Sequence, residues 1–149
     1  MSVRVFRTES EDETIALGRA LAKELPARCV VLLIGNLGAG KTTLAKGIAD
    51  GLGAAAPDEV SSPTFTLIHE YGPRVFHVDL YRLETAEEAA ALGLEELFEQ
   101  DAVTLIEWGE RFPELLPEER LEITIETECA EGRKVTVQWF PPCPHTSPE

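Results

Sequence analysis

The segment "GNLGAGKTT" at residues 35–43 combines residue types and spacing that could do chemistry. Gly35, Gly40, Lys41 and Thr42 complete the pattern GxxxxGK[ST], and the match lies between a predicted strand and a predicted helix. Glycines let the backbone curl so that successive N–H groups point at phosphate oxygens, and a helix N-terminus adds partial positive charge. The pattern therefore predicts a nucleotide site in which Lys41 contacts the β- and γ-phosphates and the Thr42 hydroxyl ligates Mg²⁺.

The sequence also bears on which base is bound. Ras-type GTPases read guanine with an Asn-Lys-x-Asp motif, but the only asparagine of this chain is Asn36, inside the phosphate loop itself. Guanine recognition by that route is excluded, and ATP is the predicted nucleotide.

Two predicted strands end in an acid, "VFHVD" at Asp79 and "VTLIE" at Glu107. In open α/β sheets the ligand lies beyond the carboxyl ends of the strands, so these carboxylates are predicted to reach the metal. One or two carboxylates suffice to hold Mg²⁺, and one of the pair is alternatively placed to orient the attacking water. Trp108, next to Glu107, is more typical of a core residue.

The segment "SSPTFTL" at residues 61–67 places several hydroxyls at the start of a strand. It has two interpretations that the sequence leaves open. One is a switch segment whose hydroxyl senses the γ-phosphate, and the other is ordinary turn chemistry.

The elements that must position these residues follow from periodicity. Helices are predicted over "TESEDETIALGRALAKELP", with a Ser10–Glu13 capping box, over "KTTLAKGIADGLG", and over "TAEEAAALGLEELFEQ", with a Thr85–Glu88 capping box. Strands are predicted over "CVVLLIG", "TFTLIHEY", "RVFHVDLY" and "AVTLIEW", and a β-hairpin over "LEITIETECAEGRKVTVQWF". This alternation predicts an α/β sandwich with a mostly parallel central sheet and antiparallel edge strands that include the C-terminal hairpin.

Length and charge narrow the classes of protein to which this chain can belong. The 149 residues predict one domain over 1–140 and a flexible proline-rich tail over 141–149. The net charge of −14, with scattered Lys and Arg, argues against strong direct nucleic-acid binding and is compatible with a basic protein partner. The N-terminal segment lacks signal-peptide features and no apolar run approaches ~20 residues, so we expect a cytoplasmic protein that is not embedded in a membrane.

Three uses of the nucleotide are conceivable: transfer to a substrate, mechanical work, or timing. Residues 86–100 contain no Arg or Lys and would make a poor kinase lid, and the chain has no room for a large mechanical partner domain. A compact nucleotide switch that acts on other proteins is therefore favoured. A small-molecule kinase of the P-loop class remains the alternative.

The motifs "GNLGAGKTT", "SPTFTL", "HVDLYRL", "LGLEELF" and "LIEWGER", in this order, resemble the bacterial TsaE (YjeE) family over nearly the whole chain. The resemblance implies a three-layer P-loop NTPase sandwich and a Mg²⁺-dependent ATPase. It also implies action with TsaB and TsaD in threonylcarbamoyladenosine modification of A37 in ANN-decoding tRNAs. ATP hydrolysis would reset the TsaB–TsaD assembly, and tRNA would be contacted indirectly through these partners.

The resemblance also assigns roles to residues. It makes Lys41 the phosphate lysine, Thr42 and Glu107 the magnesium site, and Asp79 a Walker B-like acid acting through a water; Lys41, Asp79 and Glu107 are the predicted catalytic residues. Thr64 lies in the switch-like segment, and the family often has Asp where this chain has Asn36. The predicted ATP-binding residues are Glu11, Asn36, Leu37, Gly38, Ala39, Gly40, Lys41, Thr42, Thr43 and Arg133.

Overall fold

The structure is a computed structural model that describes residues 3–36, 38–63, 66–72 and 74–141. The predictions for Leu37, for the switch-like Thr64 and for the tail beyond Pro141 lie outside the described residues.

A single sheet of seven strands runs through the described residues, in the order β1-β7-β6-β2-β5-β4-β3. The strands are β1 Val3–Thr8, β2 Cys29–Ile34, β3 Ile68–Tyr71, β4 Val75–Asp79, β5 Val103–Glu107, β6 Arg120–Thr127 and β7 Arg133–Phe140. Strands β6, β2, β5 and β4 are parallel to one another, while β7, β1 and β3 join antiparallel. The first arm of the C-terminal hairpin therefore belongs to the parallel part of the sheet.

Helices cover both faces of this sheet. The helices are α1 Glu11–Ala22, α2 Lys41–Gly51, α3 Ala86–Ala90 and α4 Leu94–Phe98, with 3₁₀ turns at Pro57–Glu59, Gly109–Arg111 and Pro113–Leu115. Helices α1 and α2 pack on one face of β2 through Val31 and Leu33, and α3 and α4 pack on the other through Val30 and Leu32. The predicted three-layer α/β sandwich with a mostly parallel centre is confirmed. None of the helices that the structure describes is long and apolar enough to cross a membrane.

Helix α2, which begins at Lys41, is pressed closely against α1. A Cβ added to Gly18 would lie 2.7 Å from the Leu44 carbonyl oxygen, and one added to Gly47 would overlap the Ile15 carbonyl. Only glycine permits this approach of two helix backbones. The contact fixes the helix whose N-terminus follows the phosphate loop.

Helix α1 begins as predicted but with a shifted cap. The Ser10 hydroxyl accepts a hydrogen bond from the Glu13 N–H at 3.1 Å, whereas the Glu13 carboxylate accepts from the Glu9 N–H at 2.7 Å and not from that of Ser10. The helix ends at Ala22, before the predicted stop at Pro26.

The prediction of one continuous helix over residues 85–100 is wrong. The Thr85–Glu88 capping box forms, but Gly93 adopts a left-handed conformation with φ 82° and separates α3 from α4. Ala89 and Leu94 are both buried in the same cluster. Residues five apart point to different sides of a continuous helix, so the break is what turns both toward the sheet.

Strand β1 was not expected from the sequence. Val3 and Val5 are exposed, and only the alternate positions of the strand turn inward, so the apolar pattern that marks a strand is weak there. Pairing with β7 supplies the backbone partners that keep this segment extended.

Candidate active site

A pocket of about 650 Å³ opens at the carboxyl ends of β4 and β5, above the N-terminus of α2. The sequence predicts nine of the residues that line it: Glu11, Gly38, Gly40, Lys41, Thr42, Thr43, Asp79, Glu107 and Arg133. The fold thus brings together residues that lie far apart along the chain. This is the edge of the sheet at which open α/β folds bind ligands.

The phosphate loop is shaped by two glycines and tied to the hairpin. Gly38 and Gly40 have φ of 79° and 111°, a region that favours glycine. Ala39 and Asn36 do not line the pocket, but their backbone carbonyls accept hydrogen bonds. The Ala39 carbonyl accepts a hydrogen bond from Arg133 Nε at 2.7 Å, and the Asn36 carbonyl accepts from the Ala39 N–H at 3.0 Å.

Lys41 is 5% exposed, and its Nζ has no hydrogen-bond partner among the described residues. Burial lowers the pKa of this ammonium, although the carboxylates of Glu107, Glu110 and Asp79 act in the opposite direction. A buried cation without an acceptor is costly, whereas a phosphate oxygen would satisfy it. The geometry therefore fits an anion at the mouth of α2.

Trp108 is only in part the core residue that the sequence predicts. Its ring packs partly against the core, but it also lines the pocket, and its centroid lies 3.5 Å from Lys41 Nζ and 5.1 Å from the Tyr81 ring. Its backbone is left-handed, with φ 67°, directly after the end of β5. This turn aims the indole at the lysine.

Glu107 is 3% exposed and contacts two donors through the same oxygen. Its Oε2 accepts a hydrogen bond from Thr42 Oγ1 at 3.1 Å and from His77 Nε2 at 2.6 Å. Two oxygen ligands held at ~2.1 Å in adjacent octahedral positions lie about 3.0 Å apart, so the Thr42–Glu107 separation suits one Mg²⁺. No group of three or more His, Cys, Asp or Glu side chains that suits a metal occurs in the described ranges. A sparse donor set completed by waters and phosphate oxygens is what Mg²⁺ prefers.

Asp79 lies beside Glu107 but in a different environment. The two residues are register partners on β4 and β5, and Asp79 is 1% exposed. Its Oδ2 accepts a hydrogen bond from Ser62 Oγ at 3.1 Å and its Oδ1 from the Tyr81 N–H at 2.8 Å. Asp79 is thus linked to the segment that precedes Thr64.

Several lining residues were missed from the sequence: Ser10, Asp12, Thr14, Ser62, Trp108 and Glu131. Ser62 had a signal, since it belongs to the hydroxyl-rich segment 61–67. Ser10, Asp12 and Thr14 had no local signal, although the family resemblance pointed to their neighbour Glu11. They reach the pocket through tertiary contacts such as the 2.7 Å hydrogen bond between the Thr8 and Thr14 hydroxyls.

Comparison with known proteins gives one consistent result. A family model described as "Threonylcarbamoyl adenosine biosynthesis protein TsaE" matches residues 8–135. The tRNA threonylcarbamoyladenosine biosynthesis protein TsaE of Bacillus subtilis (strain 168) is 42% identical over 134 residues, which span 88% of this chain and 82% of that protein. The protein of the same name from Treponema pallidum (strain Nichols) is 38% identical over 132 residues, which span 87% and 96%.

A crystal structure of Bacillus subtilis YdiB superposes with a TM-score of 0.76 at 35% identity, over 93% of this chain and 86% of that one. The resemblance drawn from the five motifs is therefore confirmed by sequence and by structure. The chain belongs to the TsaE family.

Proposed function

We propose that this chain is a Mg²⁺-dependent ATPase that binds the TsaB–TsaD assembly and resets it by hydrolysing ATP. This resetting by ATP hydrolysis would serve the threonylcarbamoyladenosine modification of A37 in ANN-decoding tRNAs. Family membership, and the names of relatives in tRNA threonylcarbamoyladenosine biosynthesis, support the pathway. The site geometry supports the ATPase chemistry.

The observation that carries the proposal is Lys41. Its ammonium is buried without a hydrogen-bond acceptor in the part of the chain that the structure describes, at the N-terminus of α2. A loop with left-handed Gly38 and Gly40 leads into the same point. Loop amides, helix dipole and ammonium together form a site for the β- and γ-phosphates.

The remaining side chains have separable tasks. Thr42 and Glu107 would hold Mg²⁺, which when bound neutralises phosphate charge and orients the terminal phosphate. Asp79, held by Ser62 and the Tyr81 N–H, would keep a water in line for attack. Glu11 and Arg133 also line the pocket and would contact other parts of the nucleotide.

The position of residues 86–100 favours this function over a small-molecule kinase. Ala89 and Leu94 anchor that segment on the face of the sheet that carries Val30 and Leu32, and none of its residues lines the pocket. It is not placed to close over phosphates as a kinase lid does.

The charge of the chain agrees with an indirect route to RNA. At −14 the chain would repel a phosphate backbone, so tRNA would be reached through TsaB and TsaD in the cytoplasm.

The test supplies Mg-ATP labelled on the γ-phosphate, with and without TsaB and TsaD, and follows both free phosphate and labelled acceptors. We expect slow hydrolysis that the partners accelerate, with all label released as phosphate. Lys41→Ala is the control that should abolish it. Label on a small-molecule acceptor would favour the kinase, and turnover indifferent to the partners would contradict the proposed role.

A non-catalytic scaffold is separated by the same system. If nucleotide merely stabilises the complex, Glu107→Ala should sustain wild-type tRNA modification through many turnovers. We expect instead one round of assembly followed by arrest.

A further inference from the structure

His77 is a buried titratable side chain to which the roles proposed so far assign no task. It lies on β4, two residues before Asp79, and is 0% exposed. It does not line the pocket, yet its Nε2 lies 2.6 Å from Glu107 Oε2. It therefore contacts Glu107 from inside the protein and not from the pocket.

The pattern of its hydrogen bonds is unlike that of a purely structural histidine. Toward a carboxylate, the imidazole Nε2–H is the donor. The other nitrogen, Nδ1, is buried and has no hydrogen-bond partner among the described residues. Buried polar atoms are normally satisfied, so a histidine selected only for packing would be a poor choice here.

The His77 ring is fully buried and lies beside the ring of Tyr71, which is itself hydrogen-bonded. The Tyr71 ring centroid lies 6.1 Å from that of His77, and the Tyr71 hydroxyl bonds to the Ser61 carbonyl at 3.3 Å and to His69 Nδ1 at 3.1 Å. A fixed imidazole fixes the carboxylate that accepts from it. The same Oε2 also accepts from Thr42.

We propose that His77 is a positioning residue, whose Nε2–H holds the Glu107 carboxylate at the angle and distance at which it and Thr42 bind one Mg²⁺. This inference rests on the proposed ATPase function and deepens it. Residues that hydrogen-bond to a metal ligand set its orientation, and their loss typically costs about 10–100-fold in metal affinity or activity.

The test compares His77→Gln with His77→Asn. Gln carries its amide N–H near the position of Nε2, whereas Asn, one methylene shorter, carries it near Nδ1 and cannot reach Glu107. Both variants bury a similar amide, so the comparison separates the hydrogen bond from the cost of burial. Thr104→Val is a matched control, because Thr104 is 1% exposed, its hydroxyl is unpartnered within the described residues, and it does not line the pocket.

The readout is binding, measured by calorimetry with ATP in excess Mg²⁺ and with ATP in EDTA. We expect His77→Asn to lose about tenfold or more of the Mg²⁺-dependent gain in affinity, with unchanged affinity in EDTA. His77→Gln should keep most of the gain and Thr104→Val all of it. In hydrolysis assays, the Mg²⁺ concentration that gives the half-maximal rate should be highest for His77→Asn, lower for His77→Gln and equal to wild type for Thr104→Val.

The outcomes separate this inference from the function on which it rests. If the Asn and Gln variants both keep the wild-type Mg²⁺-dependent gain in ATP affinity, the role of His77 is overturned but the proposed function is not. Loss of affinity in EDTA by both would also overturn it, as it would show a general packing role. Failure of the wild-type protein to bind ATP would remove the proposed function itself.

Discussion

The ends of β4 and β5 carry chemically similar acids in different surroundings. Asp79 and Glu107 are register partners on adjacent parallel strands, and both are almost completely buried. Glu107 contacts Thr42 on α2 and His77 on β4, which are both parts of the packed sandwich. Asp79 instead accepts from Ser62 and from the Tyr81 N–H, which lie in connecting segments.

The difference agrees with the division of labour proposed above for the two acids. Glu107 is held by α2, which packs on α1 through glycines, and by the buried strand β4. Such a rigid setting suits a metal, because a metal needs fixed ligand positions. An acid joined to the segment before Thr64 suits a water whose placement depends on that segment. Neighbours, and not residue type, distinguish the two acids.

Among changes to the two acids and their hydrogen-bond partners, Glu107→Ala should have the largest effect. Losing the carboxylate should lower the hydrolysis rate by about three orders of magnitude, because the bound metal contributes several kcal/mol to transition-state stabilisation. Calorimetry should show that affinity for ATP in EDTA is retained. Glu110→Gln, a change of a partly buried acid that does not line the pocket, should stay within about twofold of wild type. Mg²⁺-dependent binding that survives Glu107→Ala would break the assignment.

Asp79→Asn should have the next largest effect and a different signature. The amide keeps the size of the side chain and an oxygen for the Tyr81 N–H but loses the charge that polarises a water. We expect kcat to fall by about 10²-fold while the Mg²⁺ dependence of ATP binding is unchanged. If instead the affinity for Mg-ATP falls and kcat is unchanged, the roles of the two acids are the reverse of those proposed.

Ser62→Ala sharpens the comparison on the Asp79 side. Without the Ser62 hydroxyl Asp79 is less well positioned, so we expect kcat to fall roughly tenfold, which is about 1.4 kcal/mol in the activation free energy. Mg-ATP affinity should not change, since the Ser62 hydroxyl donates to Asp79, whereas Glu107 accepts from Thr42 and His77. Ser61→Ala is the control, because its carbonyl and not its side chain accepts from Tyr71. Equal losses in both variants would point to a general effect on the segment.

The smallest effect is one on stability, and it concerns Lys41, which both acids face. Because burial lowers its pKa, the unfolded chain binds the proton more tightly than the folded chain does. The contribution of Lys41 alone should therefore make wild-type stability rise with pH between the lowered pKa and 10.5, the ordinary value. Lys41→Met should raise the free energy of unfolding by about 1 kcal/mol at neutral pH and lack this rise, while losing ATP binding.

Urea unfolding of both proteins from pH 7 upward measures this effect. A Met variant that is less stable than wild type at pH 7 would mean that Coulomb attraction to the acids outweighs the cost of burial.

The sequence by itself determined the phosphate-loop motif, the order of most strands and helices, and the two strand-terminal acids. The phosphate loop is local: its glycine spacing and the following helix lie within residues 35–51, so no distant contact is needed to recognise it. The buried strands are recognisable in the sequence, because strands covered on both faces are continuously apolar. These signals also carried the family resemblance.

Tertiary structure decided what distant segments contribute. Strand β1 exists through pairing with β7, and the break at Gly93 follows from burying Ala89 and Leu94 on one face, so neither is visible in local periodicity. Trp108 became a neighbour of Lys41, and His77 a partner of Glu107, only when strands distant in the chain were laid side by side. Residue types and spacings state which chemistry is available; burial and neighbours, which arise from packing, decide which side chain performs which part.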